Sequence, residues 1–123
     1  MLHRWQYETK PLRAAGLLTA EQEVTSPISP TQSKDGWLQV YVDLALGDAD
    51  AVVLTPQLFD RGDPNKDPDW YEAIWPGAVQ LERSGKFAFS IEASGAKNCR
   101  LHVRRIGGSG KETTLAMRAA YKF

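Results

Sequence analysis

The sequence predicts an all-β fold, an antiparallel β-sandwich or jelly-roll with an extended N-terminal arm. Three observations carry that expectation. Apolar residues recur with a period of two in run after run, which is the mark of strands with one buried face. Gly, Pro, Asn and Asp punctuate the chain about every ten residues, the spacing expected of short strands and turns. No stretch carries the 3.6-residue apolar period of an amphipathic helix. At 123 residues the chain can enclose one core and is too short for two comfortable domains.

Residues 1–35 differ from the rest. Weak alternation around Trp5 and Tyr7 is interrupted by Pro11, the stretch 12–20 is mildly apolar, and TSPISPTQSKDG follows as a Pro-, Ser- and Thr-rich connection. Pro27 and Pro30 remove backbone donors and favour extended, unpaired chain. This composition predicts an N-terminal arm with one or two short strands, followed by a β-sandwich domain over 36–123. Trp5, Tyr7, Leu17 and Leu18 are large apolar groups that would be wasted in solvent, so the arm is expected to order against a neighbouring subunit.

From Trp37 the alternation is clear. Leu38, Val40, Val42, Leu44 and Leu46 fall on one face, and Trp37, Gln39, Tyr41, Asp43 and Ala45 on the other. Gly47-Asp48 turns the chain, and β-branched and apolar residues resume over 51–59. Together these predict an antiparallel hairpin. Pro56 cannot donate to a ladder, so the second strand should end, bulge or lie at an edge there. Residues 60–69 read as a loop. Trp70-Tyr71 opens a short strand closed by Pro76-Gly77, and 78–82 alternates weakly. After a turn at Ser84-Gly85, Phe87, Phe89 and Ile91 define another inward face. Cys99, Leu101 and Val103 define the next, with Arg100, His102 and Arg104 opposite. Gly107-Gly108-Ser109-Gly110 reads as a hairpin turn. The last strand sets Leu115, Met117, Ala119, Tyr121 and Phe123 against Thr114, Ala116, Arg118, Ala120 and Lys122, and is expected to be paired internally.

Fifteen basic residues balance fifteen acidic ones. A neutral chain has no broad positive field for nucleic acid or an anionic membrane, and neither is expected as a partner. No apolar run approaches the roughly 20 residues that cross a bilayer. The first residues lack the apolar segment of a secretory leader, so synthesis in a cytoplasm is expected. The single Cys99 cannot form an intramolecular disulfide and reads as a small buried side chain.

Chemistry is thinly represented. Asp63, Asn65, Asp67 and Asp69 alternate as oxygen ligands of calcium loops do, but Pro68 stands where the sharp-turn Gly of an EF-hand belongs and Ile74 replaces its bidentate Glu. Good turn formers explain the same residues, so they are weak metal candidates and no cofactor is expected. Arg61-Gly62-Asp63 is a tripeptide that recurs often by chance. Gly107 to Lys111 fails the phosphate-loop pattern, with Arg105 in place of its first Gly and Glu112 in place of its Ser or Thr. His3 and His102 have no nucleophile or zinc partner that spacing can defend, so the chain is not expected to be an enzyme. What stands out is a surface. Trp37 and Tyr41 lie opposite the apolar stripe, and Arg100, His102, Arg104 and Arg105 form a basic stripe. Trp5, Tyr7, Trp37, Tyr41, Arg100 and Arg104 are therefore the candidate interface residues.

The order of strand, G-D turn, β-branched strand, Asp/Asn-rich loop and W-Y resembles a pattern of small tailed-phage virion proteins. Its stretches here are 38–50, 52–59, 67–71, 98–104 and 114–123. The chain departs from that pattern in carrying DRGDPNKDPDWY where the pattern has a compact D-G-x-x-W-Y turn. The resemblance implies a non-enzymatic β-sandwich of the virion. Its expected role is a capsid decoration (cement) protein, bound as a homo-oligomer, with a trimer favoured, to the major capsid protein or other virion subunits. A head–tail neck or tail accessory protein is the alternative within that family. The competing class is a carbohydrate-binding module, with Trp37, Tyr41, Trp70 and Trp75 as a stacking platform.

Overall fold

The computed structural model describes residues 7–30, 33–63, 65–66 and 69–122. Among these, nine strands form: β1 (Tyr7–Leu17), β2 (Gln22–Val24), β3 (Trp37–Ala45), β4 (Ala51–Phe59), β5 (Trp70–Glu72), β6 (Val79–Leu81), β7 (Gly85–Glu92), β8 (Asn98–Ile106) and β9 (Thr114–Lys122). They make two antiparallel sheets. The first has the order β1-β9-β3-β7; the second has the order β2-β8-β4-β5, with β6 also on β4. The expected β-sandwich is what forms.

The core lies between the sheets, and its members are the apolar halves of the alternating runs. Leu38, Val40, Val42 and Leu44 of β3 and Leu115, Met117 and Ala119 of β9 are buried in one cluster with Val52 and Leu54 of β4 and Leu101 and Val103 of β8. Each fully buried aliphatic side chain of this kind stabilises by about 1.5–3 kcal/mol. The internally paired last strand is observed: β9 is flanked by β1 and β3.

Two turns expected to close hairpins do something else. β3 pairs with β7 and β9, whereas β4 pairs with β5, β6 and β8. The Gly47-Asp48 turn is thus an arch that carries the chain from one sheet to the other. The turn over 107–110 is a second arch, from β8 to β9. Alternation reports that a strand has one apolar face; it does not say whether the next strand lies beside that face or across from it. The arches are stitched together. Thr113, wholly buried, donates from its hydroxyl to the Leu46 carbonyl at 2.7 Å, and the Ser109 N–H donates to the Asp48 carboxylate at 2.9 Å. Gly47 has φ +57°, and a Cβ there would stand 2.5 Å from the Glu112 carbonyl oxygen, so both conformation and space require glycine.

Pro56 neither ends nor bulges β4. Its carbonyl accepts from the Ala73 N–H at 2.9 Å, and a strand residue's N–H and C=O point to the same flank. That flank is divided, with β6 on residues 52–54 and β5 on 57–59. The missing donor therefore falls in the gap between them.

The stretch 1–35, expected as an N-terminal arm with one or two short strands, carries β1 and β2 from Tyr7 onward, and both join the sheets. β1 pairs with β9 from Tyr7↔Lys122 to Leu17↔Thr114, β2 pairs with β8, and Ile28 bridges Cys99. Leu12, Leu18 and Ile28 belong to the core. Pro11 is tolerated because β1 is an edge strand, and the register shifts between Pro11 and Arg13. Buried Arg105 secures the link that follows β1, donating to the carbonyls of Leu18 (2.8 Å), Thr19 (2.9 Å) and Ala20 (3.3 Å). Trp5 lies outside the described residues.

Candidate functional site

The polar half of β3's alternation forms the centre of the first sheet's outer face. Trp37 is 41% exposed and Tyr41 38% exposed, which for large aromatics on a regular strand is unusual. They are four residues apart, hence about 13 Å along the strand and on the same face. No described segment packs over them. Gln39 lies between the two rings, and its side-chain oxygen accepts from the Ser90 hydroxyl of β7 at 2.5 Å.

The turn before Trp37 is pinned. Asp35 accepts from the Trp37 N–H at 3.0 Å and from the Ser33 hydroxyl at 3.2 Å, and its other oxygen is 3.5 Å from Lys122 Nζ. The Ser33 hydroxyl also lies 2.9 Å from the Trp37 carbonyl. The Trp37 N–H holds the Asp35 carboxyl below the usual aspartate range, with Ser33 and Lys122 adding to the shift against the opposing effect of desolvation. The result is a hollow of about 300 Å³ lined by Asp35, Trp37, Gln39, Tyr41, Ser90, Ala120 and Lys122, among others. A second hollow of about 200 Å³ continues past Tyr41, lined by Asp43, Lys86, Phe87, Ala88 and Arg118. Arg118 of β9 is opposite Tyr41 in register, and its guanidinium carbon is 4.7 Å from the ring centroid.

The basic stripe does not form. Arg104 is exposed, but Arg100 is 6% exposed and lies 4.2 Å over the ring of Trp70, itself buried, while Nε donates to Gln57 at 2.7 Å. His102 is bonded to Gln22 at 3.1 Å. Arg100 is therefore corrected from an interface residue to a structural one, because β8's outer side is partly covered by β5 residues at the sheet edge. Trp70 is likewise removed from any surface platform. Tyr71, Ile74 and Trp75 stand exposed around the β5–β6 connection, on the second sheet and away from the Trp37–Tyr41 face.

Of the weak metal candidates, Asp67 lies outside the described residues. Asp63 and Asp69 spend carboxylate oxygens on the N–H groups of Asn65 and Asp63, each at 2.9 Å, which is how Asp and Asn hold turns. Among the described residues no group of three or more His, Cys, Asp or Glu is placed to hold a metal ion. Cys99 is buried, and desolvation pushes its thiol up to about 12. Sequence reasoning placed Trp37 and Tyr41 on the right face. It missed Arg118 and Ser90, whose roles depend on which strands flank β3. The available signal was that Arg118 shares the polar half of β9 with Ala116 and Ala120, small neighbours that leave room above the sheet.

No protein-family model and no curated protein matches the chain. Solved structures do. The K3 cleaved adhesin domain of Lys-gingipain from Porphyromonas gingivalis W83 superposes with a TM-score of 0.52 at 10% identity, over 81% of this chain and 63% of that one, so this chain spans less than two thirds of it. The CBM36-1 domain of a multidomain xylanase from the hindgut metagenome of Trinervitermes trinervoides gives 0.50 at 7% identity, over 94% of this chain and 95% of that one. The enzymatically active domain of a bacteriophage CBA120 tailspike protein gives 0.47 at 9%, over 97% of this chain and 19% of that one. At these identities the first two likenesses establish the sandwich fold and nothing finer, and the third carries no argument.

Proposed function

We propose that the chain is a non-catalytic glycan-binding domain whose binding face is the outer surface of the β1-β9-β3-β7 sheet. One observation carries the reading: Trp37 and Tyr41 stand open on a rigid strand, with polar side chains between and beside them. A pyranose offers a flat apolar C–H face and a rim of hydroxyls. An aromatic ring takes the first, and Gln39, Ser90 and Asp35 can take the second. A central strand paired on both sides fixes the backbone beneath the rings, which lowers the ordering cost of binding. The fold shared with a xylanase's CBM36-1 domain supports this reading as an architecture and does not select the sugar.

Affinity electrophoresis and calorimetry against a panel of soluble polysaccharides test it. Trp37→Ala and Tyr41→Ala are each expected to weaken binding about tenfold, as loss of a central aromatic contact does. Unchanged far-UV circular dichroism would separate that loss from misfolding. The virion decoration reading rests on the motif order and makes a different prediction, a stable trimer. Light scattering of the purified chain is expected to give the monomer mass; a trimer that binds no glycan overturns the present reading in favour of the virion one.

A further inference from the structure

Two ion pairs hold four of the charges on this face. Lys86 is 3.4 Å from Asp43 across the β3–β7 pair, and Lys122 is 3.5 Å from Asp35. Arg118 has no carboxylate within ion-pair reach among the described residues, although it is exposed and lies on the same face. Its cross-strand neighbours explain why: Tyr41 on one side and Pro11 on the other carry no charge. The guanidinium is instead parked against Tyr41 at 4.7 Å, at the rim of the hollow that Tyr41 shares with Asp43 and Lys86. That hollow is lined by two cations and one carboxylate, so one positive charge is left over.

We propose that the glycan is acidic, a uronate-containing chain in which one uronate stacks beside Tyr41 and its carboxylate is received by Arg118. This rests on the glycan-binding reading above. A carboxylate is planar with two acceptor oxygens, and a guanidinium presents a matching fork of donors, which a point-charge ammonium does not. Stacking on Tyr41 holds that fork in place before the ligand arrives, so little side-chain freedom is lost on binding.

The probes are oligogalacturonates of three to five units and the same oligomers with their carboxyl groups methyl-esterified, which keeps the rings and removes the charge. Neutral xylo-oligosaccharides of equal length complete the set. The acid is expected to bind about tenfold or more tightly than the ester, and the advantage should shrink as salt rises. Arg118→Gln is expected to abolish that advantage, so that acid and ester bind the variant equally; Arg118→Lys, which keeps the charge and loses the fork, should retain only part of it. Equal binding of acid and ester, or an acid preference that survives in Arg118→Gln, overturns the inference. Binding of neutral oligosaccharides with no preference for acid overturns it while the glycan-binding reading stands. If none of the three binds the wild-type chain, both fall.

Discussion

Two arginine–aromatic stacks, one on each sheet, show how burial alone changes what the same pair of side chains is for. Arg100 lies 4.2 Å over Trp70, and Arg118 lies 4.7 Å over Tyr41. The first pair is sealed: Arg100 and Trp70 are 6% and 7% exposed, Phe59 packs on Trp70 with ring centroids 5.4 Å apart, and Gln57 accepts from the guanidinium. A buried charge must be satisfied where it stands, so this stack ties β8 to β4 and β5 and has nothing left to offer a ligand. The second pair is open, and among the described residues no carboxylate pairs with its guanidinium. It contributes little to folding and keeps its binding capacity.

Exchange of the two arginines should separate these roles. Arg100→Met is expected to destabilise the chain by about 2–3 kcal/mol, because it strips the Gln57 oxygen of its charged donor and removes the desolvated cation–π contact. Arg118→Gln should change stability by no more than about 0.5 kcal/mol, as exposed substitutions do. Urea unfolding midpoints measure both. A loss above 1 kcal/mol in Arg118→Gln would break the comparison, since the open stack would then be holding the fold.

Cys99 supplies a smaller, independent reading of the same contrast. It sits next to Arg100 on β8, facing the core, with its thiol pushed up to about 12 by burial. Alkylation near pH 8 therefore requires the sandwich to open. If opening is global, the labelling rate follows the unfolding equilibrium, and a 2 kcal/mol loss in Arg100→Met accelerates it about 30-fold. Labelling in Arg118→Gln should match wild type within about twofold. Fast labelling of the wild-type chain by iodoacetamide would show that Cys99 is reached without global unfolding.

Much of this layout is legible in the residues, and the remainder fails for a stateable reason. The period of two named the core side of β3, β8 and β9 correctly, because burial of one strand face is a local pattern. Partner choice is not local. The Gly47-Asp48 and Gly107–Gly110 turns read the same whether they close hairpins or arches, and only the completed sandwich distinguishes them. The same limit hid the fates of Arg100 and Arg104, which alternation puts on one face of β8, while Arg105 falls on the inward face with Val103. Arg100 meets Trp70 from β5, Arg105 meets carbonyls of the β1–β2 link, and Arg104 meets solvent. Trp37 and Tyr41 were found because their side of β3 is set by alternation; Arg118 was missed because its place beside Tyr41 is set by pairing.

The weakest expected effect lies at the edge of the open face and depends on pH. Asp35 is held ionised chiefly by the Trp37 N–H, and its carboxyl sits below the usual aspartate range. A carboxyl lowered in the folded state stabilises above its unfolded value, and the contribution is lost as pH falls through the folded one, here below about pH 4. What is lost is local. Asp35 is more than a third exposed, so protonation should loosen the turn ahead of Trp37 and release Lys122 without unfolding the sandwich. The indole N–H resonance of Trp37, assigned by its disappearance in Trp37→Ala, is expected to shift below about pH 4 while the core resonances stay in place. In Asp35→Asn the side-chain oxygen can still accept from Trp37 but no longer titrates, so the acid step should vanish. An unchanged step in Asp35→Asn would assign the titration to another group and leave the Trp37 end of the face held by Ser33 alone.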